Sequence, residues 1–208
     1  MMNAIEFKEH LIKDVFKPGF KKAGFKVSGT HFTKEEEGFV KVFNVQSSQF
    51  SLNWQTGFYL NIGLFFPLAY AFRYKEYTEN EMKIPEKPKE SDCQFRFRSD
   101  LITKGLKSYN IDKNTNQAAF KEIVIKDIEE SILPFYNSIK SLDDCLYKEK
   151  DFPLASGTTT AFVALTFASL GKNDKAGQIL KTYLENENIP DKWRSTIVNE
   201  ARKRNVEI

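Results

Sequence analysis

Histidine, cysteine and tryptophan are scarce in this chain, with two of each among 208 residues. The thiols of Cys93 and Cys145 stand 52 positions apart, with no CxxC pair and no His-rich segment beside either. That arrangement fits reduced, structural thiols and a cytoplasmic location. His10 falls on an expected helix and His31 on an expected strand. Two imidazoles in separate segments make a poor metal site, so both are read as surface or half-buried residues. A Ser-His-Asp triad would have to recruit one of them, and Ser156-Gly157 belongs to no G-x-S-x-G elbow, so hydrolysis of that kind lacks its parts.

Long apolar runs are missing as well. Glu6, Lys8, Glu9, Lys13 and Asp14 interrupt the first twenty residues, which leaves no signal-peptide core. The most apolar window, Phe58 to Phe72, is broken by Asn61, Gly63 and Pro67, so no membrane span is expected. Gly19, Gly24, Gly29, Gly57, Gly63 and Gly105 are scattered, and neither G-x-G-x-x-G nor a P-loop occurs. Nucleotide cradling therefore has no local support, and no cofactor is expected. The acidic runs Glu35 to Glu37, Glu129-Glu130 and Asp143-Asp144 read as solvated charge rather than general acid and base.

Charge of one sign is also lacking. Lys and Arg total 31 against 28 Asp and Glu, and both signs are spread along the chain. A nucleic-acid binder concentrates basic residues on one face to neutralise many phosphates, so this balance argues against such a partner. The densest basic stretch, Lys17, Lys21, Lys22 and Lys26, reads as a solvated turn region.

What the chain has is aromatic mass. Nineteen phenylalanines and 41% hydrophobic residues supply one principal core, each buried ring contributing roughly 1.5–3 kcal/mol. The expected architecture is α+β: an antiparallel sheet of about four to five strands packed by helices, with a C-terminal helical appendage. Ile5, Leu11, Ile12, Val15 and Phe16 mark one helix face, with Pro18-Gly19 expected to end the helix. Two short extended pieces flank Ser28-Gly29, and a second hairpin or loop falls at Glu35 to Gly38. Strands follow at Phe39 to Ser47 and Phe58 to Phe66, joined antiparallel through a polar connection too short for a crossover helix. A further strand spans Cys93 to Arg98. The charged, proline-bearing stretch YKEYTENEMKIPEKPKES before it reads as mobile loop. Ala118 to Leu133 has helical spacing up to Pro134, and three helices follow Pro153. The expected division is residues 1–148 as the α+β domain and 149–208 as a helical extension packed on it. ASLGKNDKAGQILKTYL resembles the turn and second helix of a tetratricopeptide-type hairpin, but a single copy makes no repeat array.

Four stretches occur in an informative order: GFKVSGTHFTK, VFNVQSSQ, FYLNIGLF, and CQFRFRSDL followed by LPFY. Together they resemble the bacterial family called domain of unknown function 4304, over roughly residues 3 to 145. The resemblance implies an α+β fold with an antiparallel sheet, and no established activity, cofactor or catalytic residue. Leu101 to Asn114 carries no Trp, a departure from the family pattern.

The candidate site is the polar face of the sheet. Period-two alternation places Tyr59 with Asn61, Arg96 with Arg98, and Asn44 with Gln46. If register brings these pairs together, two arginines beside carboxamides can fork onto a carboxylate or phosphate. The function expected is a non-enzymatic binding or protein-interaction domain, with Trp54 and Tyr59 as aromatic anchors and a protein partner whose identity, like the oligomeric state, stays open. The alternative is a small-anion-binding protein or enzyme with an arginine-lined pocket. The bland reading is that the same residues only hydrogen-bond one another or water.

Overall fold

Alternating apolar side chains generate the sheet, seen in a computed structural model that describes residues 2–67, 70, 84–151 and 159–208. Strands β1 (Lys26–Ser28), β2 (His31–Glu36), β3 (Phe39–Ser47), β4 (Gln55–Phe65) and β5 (Phe95–Arg98) pair antiparallel, each with the next. The β1–β2 turn sets Gly29 at φ +62° and the β2–β3 turn sets Gly38 at φ +85°, conformations that side chains with a Cβ resist. A sixth strand, β6 (Tyr109–Asp112), pairs with the N-terminal end of β4 on the same side as β5. β5 and β6 thus form one interrupted strand, with α3 (Asp100–Thr103) in the excursion between them.

One face of this sheet carries Phe32, Phe43, Val45, Phe58, Leu60, Ile62, Leu64, Phe95, Phe97, Tyr109 and Ile111, all buried in a single apolar cluster. Two long helices cover it. The first runs through α1 (Ala4–Leu11), a π turn (Ile12–Phe16) and α2 (Lys17–Lys22). The second runs through α4 (Gln117–Lys126), a π turn (Asp127–Ile132) and α5 (Leu133–Asn137). Phe20 stacks on Phe43 with ring centroids 4.3 Å apart, and Phe58 on Tyr109 at 5.0 Å. Such contacts add about 0.5–1.5 kcal/mol each beyond burial. Tyr109 also donates its hydroxyl to Asp127 at 2.5 Å, tying β6 to the second helix.

Both helices pass through the prolines expected to end them. Pro18 and Pro134 each follow a π turn, in which Lys17 donates to Ile12 and Leu133 to Ile128, five residues back. In an α-helix a proline ring collides with the carbonyl four residues back and removes a donor. The wider π turn moves the ladder by one position just before the ring arrives, so the helix continues. Gly19 then lies close to the second helix, its Cβ position 3.8 Å from Ile128 Cγ2.

The C-terminal helices α6 (Leu142–Asp151), α7 (Thr159–Ser169), α8 (Asn173–Leu184) and α9 (Asp191–Arg202) extend the same cluster. Residues Ala161 to Phe167 of α7 are buried on every side, as befits a helix enclosed by others. The bundle meets the β2–β3 turn, where the Cβ position of Gly38 is 3.2 Å from both Thr166 and Leu170. Among the described residues, no helix is long and apolar enough to cross a membrane.

The opposite face of the sheet is divided. At one end Val40, Val42, Phe65, Tyr70 and Cys93 form a small second cluster, and at the other end the residues are polar. The expectation for the charged stretch before β5, residues 74–91, lies outside the described residues for 74–83. Pro85, Glu86 and Pro88 lie beside Val40 and Phe65 on this face, and the chain then enters a 3-10 turn, Glu90–Asp92. Cys93 then fills the space above Gly63, where a Cβ would stand 2.6 Å from its sulfur and 3.0 Å from its own Cβ.

Two outcomes are expected. Gly63→Ala must push Cys93 and its segment off β4; denaturant unfolding should show a loss of about 1–3 kcal/mol, with faster reaction of Cys93 toward a thiol reagent. The second concerns the start of α6, where Asp144 accepts hydrogen bonds from the Lys140 and Ser141 amides and the Ser141 hydroxyl, each at 2.9 Å. The Lys140 amide bond first, with the Ser141 bonds and the Lys140 charge, holds its carboxyl below the ordinary 3.8. A depressed folded pKa gives stability that is complete above about pH 4 and lost as pH falls through the folded value. Asp144→Asn should therefore cost on the order of 1 kcal/mol at pH 7, and its unfolding curve should converge on that of the parent in acid.

Candidate functional site

Cross-strand register decides which side chains share the polar face. Asn44 pairs with Asn61, and Asn61 with Arg98, while His31 lies opposite Asn44 on β2. One row of the outer face therefore reads His31, Asn44, Asn61, Arg98 across four strands. The next row holds Gln46 opposite Tyr59, and the row on the other side holds Val42, Gly63 and Arg96. All six residues singled out from the sequence, Asn44, Gln46, Tyr59, Asn61, Arg96 and Arg98, thus stand on one face within three adjacent rows.

The carboxamides are largely committed to each other. Asn61 Nδ2 donates to Gln46 Oε1 at 2.8 Å and to Asn44 Oδ1 at 3.4 Å. Asn44 Nδ2 in turn donates to the Thr30 carbonyl at 3.4 Å and to the His31 ring at 3.1 Å. Burial first, and the Lys89 ammonium second, lower the His31 pKa below its ordinary 6.5. A neutral imidazole is the form that can accept from an amide.

The arginines are differently placed. The Arg98 guanidinium lies over the Tyr59 ring, 4.0 Å from its centroid. Among the described residues its N–H groups make no hydrogen bond or ion pair. Stacking orients the planar fork while leaving its donors available. Arg96 lies 3.8 Å from the Glu90 carboxylate and is half exposed. Desolvation raises the Glu90 pKa, with Arg96 and then Arg98 pulling it back.

Residues 89–91 close one side of a cleft of about 380 Å³, lined by His31, Asn44, Gln46 and Ser47 from the sheet and by Lys89, Glu90 and Ser91. Arg96 and Arg98 are not part of its lining. Sequence patterning did not point to Lys89, Glu90 or Ser91, because their place on this face comes from a loop that packs through Cys93. His31 carried a usable signal, since a hairpin around Ser28-Gly29 and the following turn set it opposite Asn44. Trp54 stands apart from Tyr59, at the tip of the β3–β4 connection, where Phe50, Leu52 and Trp54 are all exposed. That tip is tied by paired hydrogen bonds between Leu52 and Gln55 and by Ala4 N–H to the Asn53 carbonyl. Among the described residues no group of three His, Cys, Asp or Glu is arranged to hold a metal ion.

With this geometry in place, comparison with known proteins gives one match. The family model named Domain of unknown function (DUF4304) matches residues 16–138, more than half of the chain. That span runs from the end of the first π turn to the end of the second long helix, and so takes in the whole sheet and the polar face. No curated protein and no solved structure matches. On the family match, the chain belongs to the DUF4304 family.

Proposed function

We propose that this chain is a non-enzymatic protein-interaction domain whose outer sheet face binds an acidic partner. The observation that carries this reading is Arg98: its guanidinium lies over the Tyr59 ring, 4.0 Å from the centroid, exposed and, among the described residues, with its donors unspent. Arg96 beside it adds a second cation, and Asn61, Asn44 and Gln46 form the polar floor. Arg and Tyr are the side chains that dominate interface energetics when they are pre-positioned. A carboxylate from the partner would take two parallel N–H bonds from Arg98. In this reading residues 149–208 are a packed helical extension of the α+β domain rather than a recognition module, and the protein acts in a reducing cytoplasm without a cofactor.

A small-anion ligand is the second reading, favoured by the cleft that Lys89 and His31 line. It ranks lower because the two arginines stand outside that cleft, whereas a dedicated anion pocket would enclose them.

Affinity capture from native lysate tests the choice, comparing the parent protein with an Arg96→Ala/Arg98→Ala variant that circular dichroism shows to be folded. The variant should lose its partner by about tenfold or more, and the parent's capture should weaken with added salt. Equal recovery by both proteins would remove the arginine face from consideration. Stabilisation of the parent alone by inorganic phosphate, with no protein captured, would favour the small-anion reading.

A further inference from the structure

We infer that Glu90 is a built-in occupant of the arginine face, standing where a carboxylate of the acidic partner goes, so that binding displaces it. The inference rests on the proposed reading of that face and adds its regulation. Glu90 reaches the face from the 3-10 turn, which is held by the Asp92 carboxylate accepting the Lys89 N–H at 2.8 Å and by Cys93 N–H bonded to the Glu90 carbonyl at 3.1 Å. Cys93, seated over Gly63, anchors the end of the turn to β4. The backbone thus delivers one carboxylate to the side of Arg96.

Its fit there is poor. The Glu90 side chain is only 22% exposed, yet among the described residues its nearest cation is 3.8 Å away. Among the described residues its carboxylate accepts no hydrogen bond. A charge-assisted pair normally closes to about 2.7–2.9 Å. A desolvated carboxylate that lacks such contacts is costly, and an anion offering better geometry replaces it readily. Arg98 provides that geometry, because its fork is oriented by Tyr59 and Glu90 does not engage it at hydrogen-bond distance. A glutamate- or aspartate-rich segment laid along the face would bond Arg98 first and then compete with Glu90 for Arg96. Glu90 sets a threshold: weakly acidic surfaces fail to displace it, and a segment with several carboxylates succeeds.

The test uses poly-L-glutamate as the acidic probe and isothermal titration calorimetry on the full chain. Four proteins are compared: the parent, Glu90→Gln, Arg96→Ala/Arg98→Ala, and Glu122→Gln as a control that makes the same change in net charge on the exposed side of α4. Glu90→Gln should bind the probe about threefold tighter or more, Glu122→Gln should match the parent, and the double arginine variant should lose binding. Binding by the parent that Glu90→Gln leaves equal or weaker, while the double variant loses it, overturns the role of Glu90 and leaves the arginine face standing. Equal gains by Glu90→Gln and Glu122→Gln also overturn it, since net charge alone would then explain the effect. If no protein in the set binds the probe, the arginine face fails as an acidic site and the inference falls with it.

Discussion

Every other element is placed by the alternation along β4. Phe58, Leu60, Ile62 and Leu64 point into the core, while Tyr59, Asn61, Gly63 and Phe65 point to the other face. This one strand is hydrogen-bonded to three others, β3 along one edge and β5 and β6 in succession along the other. A slip of one residue would exchange its two faces, burying Tyr59 and Asn61 under the helices and exposing the apolar row. Stacked rings such as Phe16 and Phe20 on Phe43 bind the first helix to the register that β4 imposes. The second helix is fastened similarly, through Phe120 against Phe58 and through Tyr136, whose hydroxyl donates to the Val42 carbonyl at 2.6 Å.

The outer face inherits its character from the same strand. Gly63 marks the change from polar to apolar, and its missing side chain admits Cys93 and so brings residues 89–93 down onto the sheet. Charge is therefore distributed by packing: two arginines come from β5, while Lys89 and Glu90 come from a loop that has no strand pattern of its own. The carboxamides in between are satisfied mostly by each other, which keeps the floor of the face rigid while the guanidinium of Arg98 remains available above Tyr59.

Lys41 shows how far a local pattern can carry. Alternation along β3 puts it on the same face as Phe39, Phe43 and Val45, and there it is, 2% exposed. Its ammonium is accommodated because Glu36 lies near the turn and pairs with it at 2.5 Å. Nothing in the period of β3 announces that partner. Likewise Pro18 and Pro134 signal helix ends by every local rule. Only the π turns that precede them let the helices run on to Lys22 and Asn137. β6 went unmarked because four residues, YNID, are too short to establish a period, and they form a strand only because β4 extends past the end of β5.

The sequence by itself determined the α+β class, the antiparallel character of the sheet, the faces on which the residues of β3, β4 and β5 lie, and, through four ordered stretches that resemble it, the family. The class and the faces follow from patterns within a few residues, alternation and turn glycines among them. Tertiary structure alone decided that His31, Asn44, Asn61 and Arg98 align in one row, that Arg98 stacks on Tyr59, and that Glu90 stands beside Arg96. Those relations depend on register between strands and on a loop seated in the gap above Gly63. Both are set by packing between residues distant in the chain, on which local periodicity carries no information.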